Sequence, residues 1–149
     1  MLFHVSTLLP LLLVFSPTTL AGGCEPIIGA GTAVWVCGSV QNNTPWTLLY
    51  TTNPNTSDPK VTGYCQFWNW PSFLWVTSKR VKCTQQPLAP GAFIGKDEQG
   101  GTDVDGFTFS DRDWYLHGKK FTKGIWHKFA TTTNVVCDNV NGEPMCVLT

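Results

Sequence analysis

Carboxylates are the side chains whose type and spacing come closest to supporting chemistry in this sequence. Six of them lie between residues 97 and 113: Asp97, Glu98, Asp103, Asp105, Asp111 and Asp113. Asp103-x-Asp105-Gly106 resembles part of a calcium loop, but the further acidic positions and the downstream bidentate Glu are missing. We therefore favour a solvated loop whose aspartates cap turns and pair with Lys96 or Arg112. We predict no metal site and no cofactor.

The same carboxylates have an enzymatic interpretation. On an extended strand Asp103 and Asp105 would point to one face about 7 Å apart, a separation within the range that glycoside hydrolysis needs. Such pairs are common, and none of the three Glu lies in a strand flanked by aromatic residues. The sequence therefore favours a structural or binding role for these residues over a glycosidase.

Histidine chemistry is a second possibility. His117 and His127 could form an acid–base pair of the ribonuclease kind. However, Ile125 and Phe129 flank His127 on one face of a candidate strand, which favours a half-buried structural imidazole. No G-x-S-x-G motif is present, and we assign no catalytic residue.

The strongest constellation is aromatic and spans residues 64–75. Strand alternation would place Trp68 and Trp70 on the face shared with Tyr64, with Phe67 opposite. One face can fill a core and the other can form an exposed platform for sugars, sterols or a partner protein. The alternative, that every Trp is core, stays open. The candidate binding residues are Trp68, Trp70, Trp75, Asp103, Asp105 and Asp111.

The elements that position these residues are predicted to be β-strands. Helical periodicity is almost absent, whereas short β-branched and aromatic runs recur between Gly, Pro, Asn and Asp. The first two runs suggest an opening hairpin, and Asn141-Gly142 predicts a closing one. We expect an all-β, single-domain antiparallel sandwich or barrel stapled by disulfides. The predicted strands cover residues 32–40, 46–52, 63–70, 74–82, 92–95, 106–109, 112–117, 124–131, 135–138 and 145–148.

The amino terminus has the pattern of a signal peptide. An apolar run at residues 8–15 precedes Thr19-Leu20-Ala21, whose small residues suit signal-peptidase cleavage. The run is too short to span a bilayer. We predict a signal peptide at residues 1–21 and a secreted domain at 22–149 without a transmembrane segment.

All six cysteines follow that cleavage point, which in an exported chain indicates three disulfides. Fifteen pairings are possible and the sequence does not choose among them. We favour local pairing: Cys24–Cys37, Cys65–Cys83 and Cys137–Cys146.

Two N-glycosylation sequons begin at Asn42 and Asn55, and Asn55 is the better acceptor because Pro45 follows the first sequon directly. The formal net charge is zero, so no global field recruits nucleic acid or an anionic membrane, and we expect no nucleic-acid partner. The basic residues of 79–82 and 119–128 could meet and bind phosphate, but a solvated surface is the commoner arrangement. We expect a monomer.

Six segments of the chain carry a resemblance to known proteins: residues 42–46, 65–70, 83–85, 90–91, 103–112 and 123–126. Taken in this order, they resemble small cysteine-containing secreted proteins of filamentous fungi, in particular hypersensitive-response-inducing elicitors of the kind described from the rice blast fungus. The resemblance implies a β-rich apoplastic effector or elicitor that acts by surface recognition on plant host cells, with a host surface protein or glycan as partner and no established catalytic residues. The alternatives are a carbohydrate- or membrane-binding toxin or lectin-like module, and a small secreted hydrolase or ribonuclease.

Overall fold

Residues 23–29, 32–73, 75–95 and 101–149 are described by the computed structural model, and this part of the chain consists of strands and connections without a helix. It therefore holds no helix that could cross a membrane. The predicted signal peptide at 1–21 lies outside the described residues, as do Lys96, Asp97 and Glu98. The strands are β1 Glu25–Gly29, β2 Thr32–Val36, β3 Ser39–Asn43, β4 Leu48–Thr51, β5 Tyr64–Pro71, β6 Val76–Lys82, β7 Gln86–Leu88, β8 Phe93–Ile94, β9 Gly106–Thr108, β10 Trp114–Leu116, β11 Lys119–Phe121, β12 Ile125–Lys128, β13 Asn134–Val140 and β14 Glu143–Leu148.

Two six-stranded sheets form the body. The first sheet has the order β11-β10-β14-β13-β3-β8, and the second sheet has the order β6-β5-β12-β9-β4-β7. Neither sheet closes on itself in the described residues, so the fold is all-β and sandwich-like. The expected all-β sandwich stapled by disulfides is confirmed, but not every pairing is antiparallel, because β3 with β13, β5 with β12 and β10 with β14 are parallel neighbours. The sheets are therefore mixed.

The predicted strand 32–40 is broken into two. β2 ends at Val36 and β3 begins at Ser39, and between them Gly38 lies so close to Val104 that a Cβ there would collide with the Val104 carbonyl oxygen. β2 instead pairs with β1 as a separate two-stranded ribbon. The predicted opening hairpin is also wrong, since β3 and β4 belong to different sheets.

The closing hairpin is confirmed. β13 and β14 are antiparallel, and Val140 pairs with Glu143, which leaves a two-residue loop. Asn141 and Gly142 both have positive φ angles, 54° and 83°, as a tight hairpin turn of this length requires.

The main core lies between the two sheets. Five buried side chains illustrate this. The first sheet contributes Val40, Val135 and Trp114, and the second contributes Leu48 and Phe107. A smaller cluster lies on the other face of the second sheet, because strand alternation turns its members away from the main core. This outer cluster comprises Cys65, Phe67, Val81, Cys83 and Trp126, with Leu49 and Trp70 packed against it.

All three local disulfides are confirmed. Cys137 and Cys146 are directly opposed on β13 and β14. Cys24 and Cys37 lie next to the Glu25–Val36 pair, at the open end of the β1–β2 ribbon. Cys65–Cys83 joins β5 to the residue after β6. Each bond therefore joins the two arms of one hairpin.

Removing the Cys65–Cys83 bond should destabilise the fold by about 3 kcal/mol, because the two cysteines are 18 residues apart and the bond limits the freedom of the unfolded chain. The Cys65→Ala/Cys83→Ala variant should unfold at a lower urea concentration than the unmodified protein in non-reducing buffer. An unchanged midpoint would show that packing alone holds the β5–β6 hairpin.

Candidate functional site

The tryptophans of β5 are separated by a β-bulge. Phe67 pairs with Lys79 and Trp70 with Thr77, so β5 has one more residue than β6 over this stretch. Trp68 consequently packs against the main core, and Trp70 lies beside Phe67 in the outer cluster. The predicted shared face of Trp68 and Trp70 is wrong, because the extra residue reverses the alternation.

Asn69 occupies the bulge and links it to β12. Its side-chain carbonyl accepts a hydrogen bond from the Lys128 amide at 2.7 Å, and its Nδ2 donates to the Lys128 carbonyl oxygen at 2.5 Å. The side chain thus continues the ladder that Gln66 and Phe67 form with β12 through their backbone. Asn69 therefore fixes the register of the bulge against its neighbour.

Trp68 is a partly buried structural residue. Its ring packs on Phe121 at a centroid distance of 5.1 Å, and Lys119 Nζ lies 4.4 Å from its ring centroid. Its Nε1 donates a hydrogen bond to His127 Nδ1 at 3.1 Å, and the two rings stack. Because these neighbours cover its ring, Trp68 is unsuited to stack on an external ligand.

The predicted structural role of His127 agrees with its surroundings. His127 is buried between Trp68 and Phe107, and burial, with a smaller electrostatic contribution from His117, lowers its pKa to about 4. It is neutral at pH 7 and its Nδ1 is an acceptor for Trp68. His117 lies at the surface, where its Nε2 accepts a hydrogen bond from the Leu148 amide at 3.3 Å. Both imidazoles are thus engaged in holding the fold.

Trp70 closes the outer cluster. Its ring lies 5.3 Å from that of Phe67 between centroids, and Lys79 Nζ lies 5.2 Å from its own centroid. The indole is half-buried, since the cluster covers one side and the lysine stem the other. Its main role is therefore to support the β5–β6 hairpin.

Trp75 is the most exposed of the three candidate tryptophans. It lies in the turn between β5 and β6 with 68% of its surface exposed, beside Phe73 at 99% and Val76 at 61%. We call these three residues the hairpin tip. Phe73 and Val76 were not among the candidate residues, although an apolar residue directly after Pro71-Ser72, where a turn normally has Gly or Asn, was an available signal.

Asp103 and Asp105 are structural, and the expected solvated loop is wrong for both. Asp103 is buried, where Oδ1 accepts a hydrogen bond from the Gly38 amide at 2.6 Å and Oδ2 accepts one from Thr131 Oγ1 at 3.2 Å. Asp105 is half-buried and pairs with Lys128 Nζ at 3.2 Å. Burial raises the pKa of both carboxyl groups, and these partners partly oppose the rise.

Asp111 lies elsewhere and forms the predicted pair with Arg112, at 2.8 Å. The guanidinium hydrogen bonds lower the pKa of Asp111, and Arg112 also lies over the Trp46 ring at 4.2 Å. Across the described residues, no three His, Cys, Asp or Glu side chains group as metal ligands would. The candidate residues thus do not converge on one centre, and among the candidate tryptophans the exposed one, Trp75, belongs to the hairpin tip.

The two sequons differ in accessibility. Asn42 is fully buried, and its Nδ2 donates to the carbonyl oxygens of Trp46, Leu88 and Ala89. A glycan at Asn42 is incompatible with this fold, so that prediction is wrong. Asn55 is exposed in a turn, where a glycan would meet no packed neighbour, and its glycosylation stays a prediction.

Compared with protein-family models, with curated proteins and with solved structures, the chain matches none of them.

Asn69→Ala should lower stability by about 1–3 kcal/mol, because it removes two hydrogen bonds and leaves the Lys128 amide and carbonyl without this partner. Chemical unfolding would measure the loss. Ser78→Ala, which removes the exposed hydrogen bond to Gln66 in the neighbouring strand, is the control and should change little. Equal effects of the two substitutions would contradict the role assigned to Asn69.

Stability should fall as the pH drops from about 6.5 to about 4, because the unfolded chain protonates His127 in this window and the folded protein does not. The contribution amounts to roughly 3 kcal/mol at most. Thermal unfolding of the unmodified protein and of His127→Gln across this range measures it. Gln can still accept from Trp68 and does not titrate, so the variant should show a flatter pH dependence. Parallel curves would disprove the assignment.

Proposed function

We propose that this chain is a secreted effector or elicitor of the fungal type, which acts by surface recognition on plant host cells through its hairpin tip. The observation that carries the proposal is the exposure of Phe73 and Trp75 in the turn between β5 and β6, together with Val76 at the start of β6. Contiguous apolar patches on a soluble protein usually mark an interaction site. A recognition role requires such a surface and needs no catalytic constellation.

The support beneath the tip suits recognition. Beneath it, Trp70 packs on Phe67, and Cys65–Cys83 closes the other end of the same hairpin. Ser72 accepts a hydrogen bond from the Trp75 amide at 3.3 Å, and its amide donates to the Trp75 carbonyl oxygen at 3.0 Å. A surface held in one conformation loses little freedom when it binds, which favours affinity.

Secretion has independent support. Three disulfides within a chain of this length are typical of proteins in oxidising compartments, of which the outside of the cell is the principal one. The exposed Asn55 sequon and the signal-peptide pattern at 1–21 agree with that route. The elicitor assignment itself depends on the resemblance of the motifs to fungal secreted proteins.

The structure changes which tryptophans belong to the proposed surface. Trp68 and Trp70 are contact residues of the fold, so replacing them would test stability more than recognition. Trp75 and Phe73 are exposed and can be changed without opening a cavity. We therefore assign recognition to the hairpin tip.

Purified protein spanning residues 22–149 should produce a defence or cell-death response when infiltrated into leaves. The Phe73→Ala/Trp75→Ala variant should need at least about tenfold more protein for the same response, because exposed aromatic anchors carry much of the energy of recognition. A dose series of leaf necrosis or ion leakage measures the difference.

The matched control is Phe93→Ala/Val147→Ala, which removes two exposed apolar side chains from the first sheet. It should retain the full response. Circular dichroism and thermal unfolding would establish that all forms are folded. An inactive unmodified protein would refute the proposed function, and equal loss in both variants would refute the assignment to the tip.

A further inference from the structure

We propose that the hairpin tip inserts into the headgroup region of membranes containing anionic phospholipids, so that β5 and β6 meet the bilayer tip-first. This inference rests on the proposed function, for which it supplies the partner of the same surface. It follows from three features of the hairpin: the residues in its turn, the charges along its strands and the scarcity of polar groups at its end.

The turn holds apolar residues where its geometry does not need them. Pro71 and Val76 are the last paired residues, so the chain reverses over residues 72–75. Turn positions favour Gly, Asn, Asp and Ser, whose backbone or side chain stabilises the reversal. Ser72 already does this through its hydrogen bonds to Trp75. Phe73 has 99% of its surface exposed, so the protein gains almost no burial from it.

The sequence around the hairpin is strongly cationic. Residues 59–96 contain no Asp or Glu but five Lys or Arg, whereas the whole chain is neutral. The rest of the chain therefore carries an equal excess of negative charge. Three of the cations, Lys79, Arg80 and Lys82, lie on β6 at one edge of the second sheet, so this edge of the protein favours an anionic surface. The five cations are Lys60, Lys79, Arg80, Lys82 and Lys96.

The cations nearest the tip lie on both sides of the hairpin. Lys79 covers the Trp70 ring on one face, while Arg80 lies over the Tyr64 ring, 4.7 Å from its centroid, on the other. Both are exposed, and no ion pair within the described segments involves either. Lys79 is three residues from Val76, or about 10 Å along the strand. If the tip enters the interface to the usual depth of about 5–10 Å, these cations reach the level of the phosphates.

A lipid surface fits this end of the molecule better than a glycan does. Sugar sites combine an aromatic platform with polar groups that hydrogen-bond the ring hydroxyls. At the tip the Ser72 hydroxyl already donates to the Trp75 carbonyl oxygen. Aromatic side chains beside cations are instead the usual anchors of proteins at the membrane–water interface.

Sedimentation with vesicles tests the inference. The protein spanning 22–149 should bind phosphatidylcholine vesicles that contain phosphatidylserine, and bind pure phosphatidylcholine much more weakly. Phe73→Ala/Trp75→Ala should weaken binding to the anionic vesicles at least about tenfold, because two large apolar side chains no longer leave water. Lys79→Gln/Arg80→Gln should weaken binding to the anionic vesicles severalfold and make that binding less sensitive to salt.

Two control variants remove comparable side chains from other parts of the protein. These controls, Phe93→Ala/Val147→Ala and Lys120→Gln/Lys123→Gln, should bind as the unmodified protein does.

Vesicle binding that is absent, or equally strong with all variants, would overturn the inference. Titration with chitin oligosaccharides in place of vesicles provides the competing result: saturable binding that depends on Trp75, without binding to vesicles, would assign the tip to glycans and reject lipid. The leaf assay separates the two proposals. A tip-dependent leaf response without vesicle binding rejects only the membrane inference, whereas vesicle binding without a leaf response rejects the elicitor function.

Discussion

One extra residue in β5 determines which face of the second sheet Trp68 and Trp70 occupy. Between Phe67 and Trp70 the strand gains a position over β6, and the Asn69 side chain holds that position against the backbone of Lys128. Without the bulge, Trp70 would follow Trp68 toward the main core and the outer cluster would lose its lid. With it, the same strand serves both faces of the second sheet, and the hairpin beyond has packed side chains beneath its turn.

Buried polar side chains add connections between parts of the chain that are distant in sequence. The Asn42 amide gathers three carbonyl oxygens around the connection between β3 and β4, and the Asp103 carboxylate joins Gly38 to Thr131. His127 links Trp68 to the core through one hydrogen bond. Each polar side chain would be costly to bury alone, so these partners specify the arrangement as well as stabilise it. The acidic motif that first suggested metal binding or hydrolysis is therefore part of the framework.

Local pattern was sufficient for much of the fold and insufficient for the site. The Asn141-Gly142 turn depends on a short stretch of chain and was predictable, and the favoured near-neighbour disulfides are confirmed. The parallel neighbours were not, because pairing of β3 with β13 depends on contacts between residues about 95 positions apart. β7 was missed because Pro87 argues against a strand, yet β7 lies at a sheet edge where proline is tolerated. The Trp68–Trp70 error came from one inserted residue, for which Asn69, a type depleted in strands, was the only local sign.

The sulfur bridges have a further consequence for the life of the molecule outside a cell. Each one encloses the turn of a different hairpin: β1–β2, β5–β6 and β13–β14. Exposed turns are where proteases cut first. After a single cut within any of these loops, the enclosing disulfide still joins the two fragments covalently. A nicked molecule would then lose no segment, and its remaining strands would stay in register, so durability against digestion is built into the way the loops are closed.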